Sequence, residues 1–425
     1  MALTNKITAI ADAIREKRGN ENDLTLDTMP TEIKKIPSSA YLGSTIAPAA
    51  SNYPITNQFS AIGNAIRYKT GGAATLTLDE MPDAIRSIGY KVSGELDMGW
   101  TDGSASQLIT VQGIGTCTDT DIVIPREYKF AGAGTSYRPV DMIGHNAFEN
   151  NTTITSLTIP YGDIRYGMTV GAYSFRNCSN LATVALSNDM ELICSYAFAG
   201  CTSLRNVDLG VGLLTIQNNV FDGCTSLTSL VIPETVTSIA SGAFLNCRNL
   251  ILEVDSGNTT YQAKNNCLIN GTTVEWVGYK NASLPTDGSV TRISAAYLDR
   301  TDLTSVVIPE GILELQSTFY GCSNLRNVTL PNSLVTIDYK VFEDCESLTS
   351  ITIPAAVETV GNNAFKGCTN LESLIFKGTP TTLADNAFSG MSASTNIYVP
   401  WGSDEGPSGY WWRNTDATIH YNHTA

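Results

Sequence analysis

Seven of the ten cysteines recur at one kind of place: Cys178, Cys201, Cys224, Cys247, Cys322, Cys345 and Cys368 each stand three residues after a phenylalanine. Thiols in such a row could close disulfides or hold metal ions. No CxxC or CxxH pair exists to complete a site of either kind. A position used identically in every copy of a repeat points the same way in every copy, so the spacing predicts a buried column of free thiols packing as small apolar groups. Cys117, Cys194 and Cys267 fall outside the column and read as unpaired.

Other reactive side chains are sparse or unselected. Of the three histidines, His145 precedes Phe148 with no serine or cysteine and orienting aspartate recognisable beside it, so a triad has no support. His420 and His423 could touch one metal, but no third ligand accompanies them. P-loop, GxGxxG and HExxH motifs are missing. The 41 acidic residues could contain a glycosidase pair, yet such pairs are defined by distance in space and nothing in the sequence selects one. Acids covering a solvated surface are the simpler reading. The expectation is a non-enzyme with no catalytic residues, no metal and no cofactor.

The thiols are positioned by a repeat. Its template, Ala/Val-Phe-x-x-Cys-x-x-Leu-x-x-Leu/Val-x-Ile/Leu-Pro, is seen whole in Phe221 to Pro233. Phenylalanine returns every 23 residues at Phe175, Phe198, Phe221 and Phe244, and again at Phe319, Phe342, Phe365 and Phe388. Phe148 precedes the first run and Tyr297 the second. A fixed period of this length predicts a solenoid, whose units bury their apolar faces only by stacking. Leu227, Leu230 and Ile232 predict one short strand per rung in a parallel ladder, with a second apolar pair such as Val236 and Ile239 after the proline. The period is lost over residues 251–290, where Cys267 to Trp276 predicts a hairpin turning at Asn270-Gly271.

Outside the repeat, residues 3–18 place Leu3, Ile7, Ile10 and Ile14 on one helical stripe. The module returns 52 residues later: Ile7 to Ile36 and Phe59 to Ile88 share half their residues, with Ile10 and Ile14 matched by Ile62 and Ile66. Each copy is too short to bury a sufficient core alone, so the copies must pair with each other, with the solenoid or with another chain. The expected organisation is a helical module at 1–36, a linker at 37–56, a second module at 57–90, an N-terminal β cap at 91–145, the solenoid at 146–400 and an aromatic cap at 401–425. Within that last segment Tyr410, Trp411 and Trp412 read as end-capping rings, with a glycan platform as the alternative.

Charge narrows the partners. Residues 1–90 carry nine basic and nine acidic side chains, so the net charge of −15 belongs to the remainder. An acidic body lacks the counterion-release drive for nucleic acid and is repelled by anionic bilayers. No apolar run is long enough to span a membrane. The charged first helix lacks the apolar core of a secretory signal, which favours assembly in the cytoplasm over export.

The 23-residue template, together with Gly113 to Pro125 and the stretch Tyr261 to Tyr279, resembles the BspA-type family of bacterial leucine-rich repeats. That resemblance implies a right-handed leucine-rich-repeat solenoid used to bind proteins or surfaces, here with 23-residue repeats, a parallel β ladder and two small helical modules in front. The duplicated Ala9 to Pro30 and Ala61 to Pro82, and the ending Ile397-Tyr398-Val399-Pro400-Trp401 to Asn422, are similar to segments of bacteriophage tail, fibre and baseplate-associated proteins. On these resemblances the expected function is a virion structural protein. It would dock on a tail or baseplate protein through residues 1–90 (Ile10, Ile14, Ile62 and Ile66), form a homo-oligomer, and recognise a host surface protein or glycan. The alternatives are a BspA-like adhesin on a bacterial cell surface and, further off, a solenoid-scaffolded glycan-degrading enzyme. The outward strand positions Ser229, Val231, Asn327, Thr329, Ser350 and Thr352 are the expected contact residues, because they alternate with the core positions.

Overall fold

The structure, a computed structural model, describes residues 96–104, 108–125, 127–128, 138–160, 167–403, 406–407 and 415–424, with two short strands at 23–24 and 76–77. The helical modules, the docking residues Ile10, Ile14, Ile62 and Ile66, and the aromatic residues Tyr410, Trp411 and Trp412 lie outside the described residues. The chain divides into Met1–Val92 and Ser93–Ala425. In the first unit, strands Asp23–Leu24 and Leu76–Thr77 pair antiparallel with Leu24 opposite Leu76. The two copies of the duplicated module therefore meet through equivalent leucines.

The second unit is a parallel β solenoid. One ladder is formed by the strands that the template predicts before its proline. Asp121–Val123, Ser156–Thr158, Thr183–Ala185 and Asn206–Asp208 pair in sequence, Ser229–Ile232 pairs with Ile251–Val254, and six strands from Ser305–Val307 to Thr418–His420 complete it. In Ser229–Ile232 and Ser350–Ile353 exposed and buried residues alternate strictly, as one apolar face requires. Proline has no N–H to give the ladder, so the strand ends there, and turns follow in which Val236, Leu334 and Val357 donate to the carbonyls of Pro233, Pro331 and Pro354. The chain then enters a second parallel ladder, including Met168–Val170, Met190–Ile193, Thr215–Ile216 and Ser238–Ile239. At its start, Asp97–Ser104 folds antiparallel onto Ile109–Gly113 and covers the first rung.

The remaining side of each rung is a tight turn carrying the phenylalanine and the cysteine. Phe148, Phe175, Phe198, Phe221 and Phe244 stack in one column with centroids 4.9 to 6.1 Å apart, and Tyr297, Phe319, Phe342, Phe365 and Phe388 form a second. These rings are buried in the core. Each such neighbour adds about 0.5–1.5 kcal/mol beyond the burial of its area. The ladder thiols are free and buried, and each donates to the carbonyl of the preceding rung's aromatic residue, as Cys224 Sγ does to Phe198 at 3.2 Å and Cys322 Sγ to Tyr297 at 2.9 Å. That carbonyl already accepts the N–H three residues on in its own rung, as Phe198 does from Cys201, so the thiol fills its second acceptor position.

The irregular stretch divides the apolar core in two. Ile251–Val254 still continues the first ladder because Leu252 occupies the core position, so that ladder persists into the region where the sequence period is lost. Cys267–Asn270 and Thr273–Val277 then form the antiparallel hairpin, with Asn270 opposite Thr273. The loop is Gly271-Thr272, one residue later than the sequence suggests, since Gly271 supplies the positive φ. Leu268 and Trp276 of the hairpin pack into the first core, whereas Cys267, Ile269, Val274 and Val277 belong to the second. The hairpin is a partition with an apolar face on each side.

Candidate binding surface

Strand alternation turns every second residue of the first ladder outward, and parallel pairing aligns those residues into columns. In the second block one column is Ser305, Asn327, Ser350, Ser373, Asn396 and Thr418. Hydroxyls and carboxamides follow one another at the inter-strand spacing of about 4.8 Å. Beside it runs Val307, Thr329, Thr352, Ile375, Tyr398 and His420. The first column both donates and accepts hydrogen bonds. The second begins with Val307, 71% exposed, and ends in aromatic rings.

All six outward positions expected from the sequence are exposed. The structure brings four of them together: Asn327 faces Ser350 across the ladder, and Thr329 and Thr352 occupy the neighbouring column. Ser229 and Val231 stand apart on the two-stranded sheet of the first block, opposite Ile251 and Glu253. There Val231, 50% exposed, and Ile251, 41% exposed, lie on adjacent strands.

Sequence reading sets His420 and His423 together only as an incomplete metal pair and does not place Tyr398 with them. Tyr398 stacks on His420 with centroids 4.6 Å apart and lies 4.8 Å from His423. His420 Nε2 is 2.8 Å from Asn396 Oδ1, which fixes the imidazole against the neighbouring column. The signal was present: Asn396-Ile397-Tyr398 and Thr418-Ile419-His420 follow the same out-in-out alternation as the regular strands.

The thiol column cannot serve as a reactive centre. Burial pushes Cys178 and Cys322 up to about 12 and raises Cys201 and Cys224 well above the ordinary thiol value. Such thiols are protonated at neutral pH and shielded from reagents. What the second block offers instead is a rigid, two-column surface of repeated chemistry, suited to contact with another surface or an extended polymer. Among the described residues, no helix is long and apolar enough to cross a membrane.

A family model described as a BspA type leucine rich repeat region matches residues 141–275 and 291–405, in six copies, over more than half of the chain. The solenoid is also similar to solved structures. The pneumococcal vaccine antigen PcpA is 18% identical with a TM-score of 0.50, the match covering 79% of this chain and all of that one. A leucine rich cell surface protein from Faecalibacterium prausnitzii is 22% identical with a TM-score of 0.41, covering 78% and 97%. A leucine-rich repeat protein from Bacteroides ovatus is 20% identical with a TM-score of 0.37, covering 78% and 100%. At these identities the likeness concerns the fold. No curated protein matches the chain.

Proposed function

The chain belongs to the BspA-type leucine-rich-repeat family, and from that premise we propose that it is a non-enzymatic recognition protein displayed at a bacterial surface, binding a host or partner surface through the outward columns of its first ladder. The observation that carries this reading is the alignment of Asn327 with Ser350 and of Ser350 with Ser373 across neighbouring strands. A ladder repeats one contact chemistry at a fixed spacing, which suits recognition of an extended surface. The acidic character of the unit favours a partner with exposed basic or neutral polar groups.

A virion role is the second reading. It is favoured by the duplicated module at Ala9 to Pro30 and Ala61 to Pro82, and by the ending from Ile397 to Asn422. Docking would then use residues 1–90, and the same columns would face the host.

Two measurements test these readings. Antibody raised against the full chain is expected to label intact, washed cells of the source bacterium. Label confined to phage-like particles from an induced culture would replace the surface reading with the virion one. Beads coated with the full chain are expected to adhere to a panel of host-cell and matrix surfaces. The double variant Asn327→Arg, Ser350→Arg should lower that adherence at least about tenfold at unchanged melting temperature, because exposed substitutions away from packing change stability little. Equal adherence by the variant would show that the columns are not the contact surface.

A further inference from the structure

The seam where the repeat is interrupted contains a cavity of about 190 Å³. Its walls come from three places: Ala240 to Phe244 on the last turn of the first block, Leu268, Glu275 and Trp276 on the hairpin, and Ser294 and Ala295 on the first turn of the second block. Elsewhere those two kinds of turn stack directly. The aromatic N–H of one rung donates to a carbonyl of the next, as Phe198 does to Val220, Phe221 to Ala243, Tyr297 to Thr318 and Phe342 to Ala364. At the seam that register is broken, because the carbonyl that would serve Phe244 belongs to Ala296 and receives Val277 of the hairpin instead.

Insertion side chains make good most of the loss. Ile239 N–H donates to Tyr261 Oη and Asn246 N–H to Tyr279 Oη, each at 2.9 Å, while Asn266 Oδ1 receives Leu252 N–H at 3.2 Å. Phe244 N–H has no hydrogen-bond partner among the described residues, although its residue is buried. The ladder direction aims it toward the next rung, where the cavity lies. A withdrawn backbone donor left unpaired costs stability, so a ligand acceptor gains by meeting it.

Glu275 brings a carboxylate to the same space. Its Oε1 accepts from Asn270 Nδ2 at 3.2 Å, and among the described residues no lysine or arginine pairs with it. Burial pushes its carboxyl up, as expected of a carboxylate with no cation beside it. Trp276 supplies an indole set edge-on to Phe244 at 72°, so the aromatic column breaks here and leaves room beside it. A cavity of about 150 Å³ holds one benzene-sized ring. This one is somewhat larger and partly open to solvent, so it can take one six-membered ring whose remaining substituents point out of its mouth, with an acid, an amide donor and an indole around it.

We infer that the seam cavity binds a primary ammonium that carries a neighbouring hydroxyl, as in an unacetylated hexosamine, with the ammonium on Glu275, the hydroxyl oxygen accepting from Phe244 N–H and the ring against Trp276. Ethanolamine shares that chemistry without the ring. The assignment does not depend on the outward columns, whose residues take no part in the cavity.

The test is a titration of the full chain with glucosamine, ethanolamine, N-acetylglucosamine and glucose, followed by calorimetry and by the amide resonance of Phe244. Glucosamine should bind at least about tenfold more tightly than N-acetylglucosamine or glucose and should shift the Phe244 amide. Binding of ethanolamine equal to that of glucosamine would assign the site to the amino alcohol alone, and weaker binding would assign it to the sugar. Glu275→Gln, close to isosteric, should lower glucosamine affinity at least about tenfold. Ala240→Leu, which fills the cavity from the opposite wall, should do the same if Glu275→Gln fails to fold. Equal binding of glucosamine and N-acetylglucosamine, an unmoved Phe244 amide, or a crystal soaked in glucosamine that shows only water in the cavity would overturn the inference.

Discussion

Truncation of one ring in the first aromatic column should unfold one block and spare the other. Phe221 is fully buried, with Phe198 and Phe244 stacked on either side at 5.7 and 6.1 Å. Phe221→Ala removes a core ring and leaves a cavity that the rigid turns above and below cannot close, at a cost of about 3–5 kcal/mol. At about 1.4 kcal/mol per factor of ten, amides protected by opening of that block should exchange about a hundredfold to a few thousandfold faster. The hairpin separates the two cores, with Leu268 and Trp276 on one side and Cys267, Ile269, Val274 and Val277 on the other. Hydrogen exchange read by mass spectrometry should therefore show the acceleration between residues 109 and 254 and little change from 292 to 399. Loss of protection spread evenly over both spans would refute the partition and show that the solenoid opens as one cooperative unit.

Two further outcomes follow from the thiols and from one buried acid. In the native chain a water-soluble disulfide reagent should titrate Cys117 quickly and the other nine thiols only after denaturant is added, because Cys117 alone is not buried; rapid reaction of several thiols would show that the rungs open readily. Burial pushes the Glu343 carboxyl up, but hydrogen bonds and charges from Lys366 and Lys340 together outweigh it and hold the group below the usual carboxylate range. A carboxyl depressed in the folded state stabilises above its unfolded value and loses that contribution as pH falls through the folded one. Glu343→Gln should thus lower the melting temperature near pH 7, with the gap to the natural chain closing below about pH 4; a gap independent of pH would show that the ion pairs contribute nothing net.

The fold was legible because the repeat states its own geometry many times over. Phe198, Cys201 and Leu204 occupy the same rung positions as Phe221, Cys224 and Leu227, so one correct assignment propagates along the chain. The outward exposure of Ser350 and Thr352 followed from strand period alone. The seam was not legible in the same way. That Phe244 N–H loses its acceptor depends on Val277 reaching Ala296, a contact between segments that share no template. The grouping of Tyr398, His420 and His423 likewise depends on the strand Thr418–His420 returning to the ladder in register with Asn396–Tyr398, although the phenylalanine and cysteine of the template are missing between them. Periodicity reports what recurs, and both features are formed where recurrence stops.

The hairpin's two apolar faces carry a consequence for how such a chain changes over generations. Segments that repeat one 23-residue template can be gained or lost whole when a coding sequence recombines out of register. A deletion that respects the period leaves each thiol above a carbonyl and each ring above a ring, so the product still folds. With a partition between the blocks, such an event on one side need not be matched on the other. The reach of the outward columns in the second block can then lengthen or shorten as a heritable trait while the first block and the seam stay as they are.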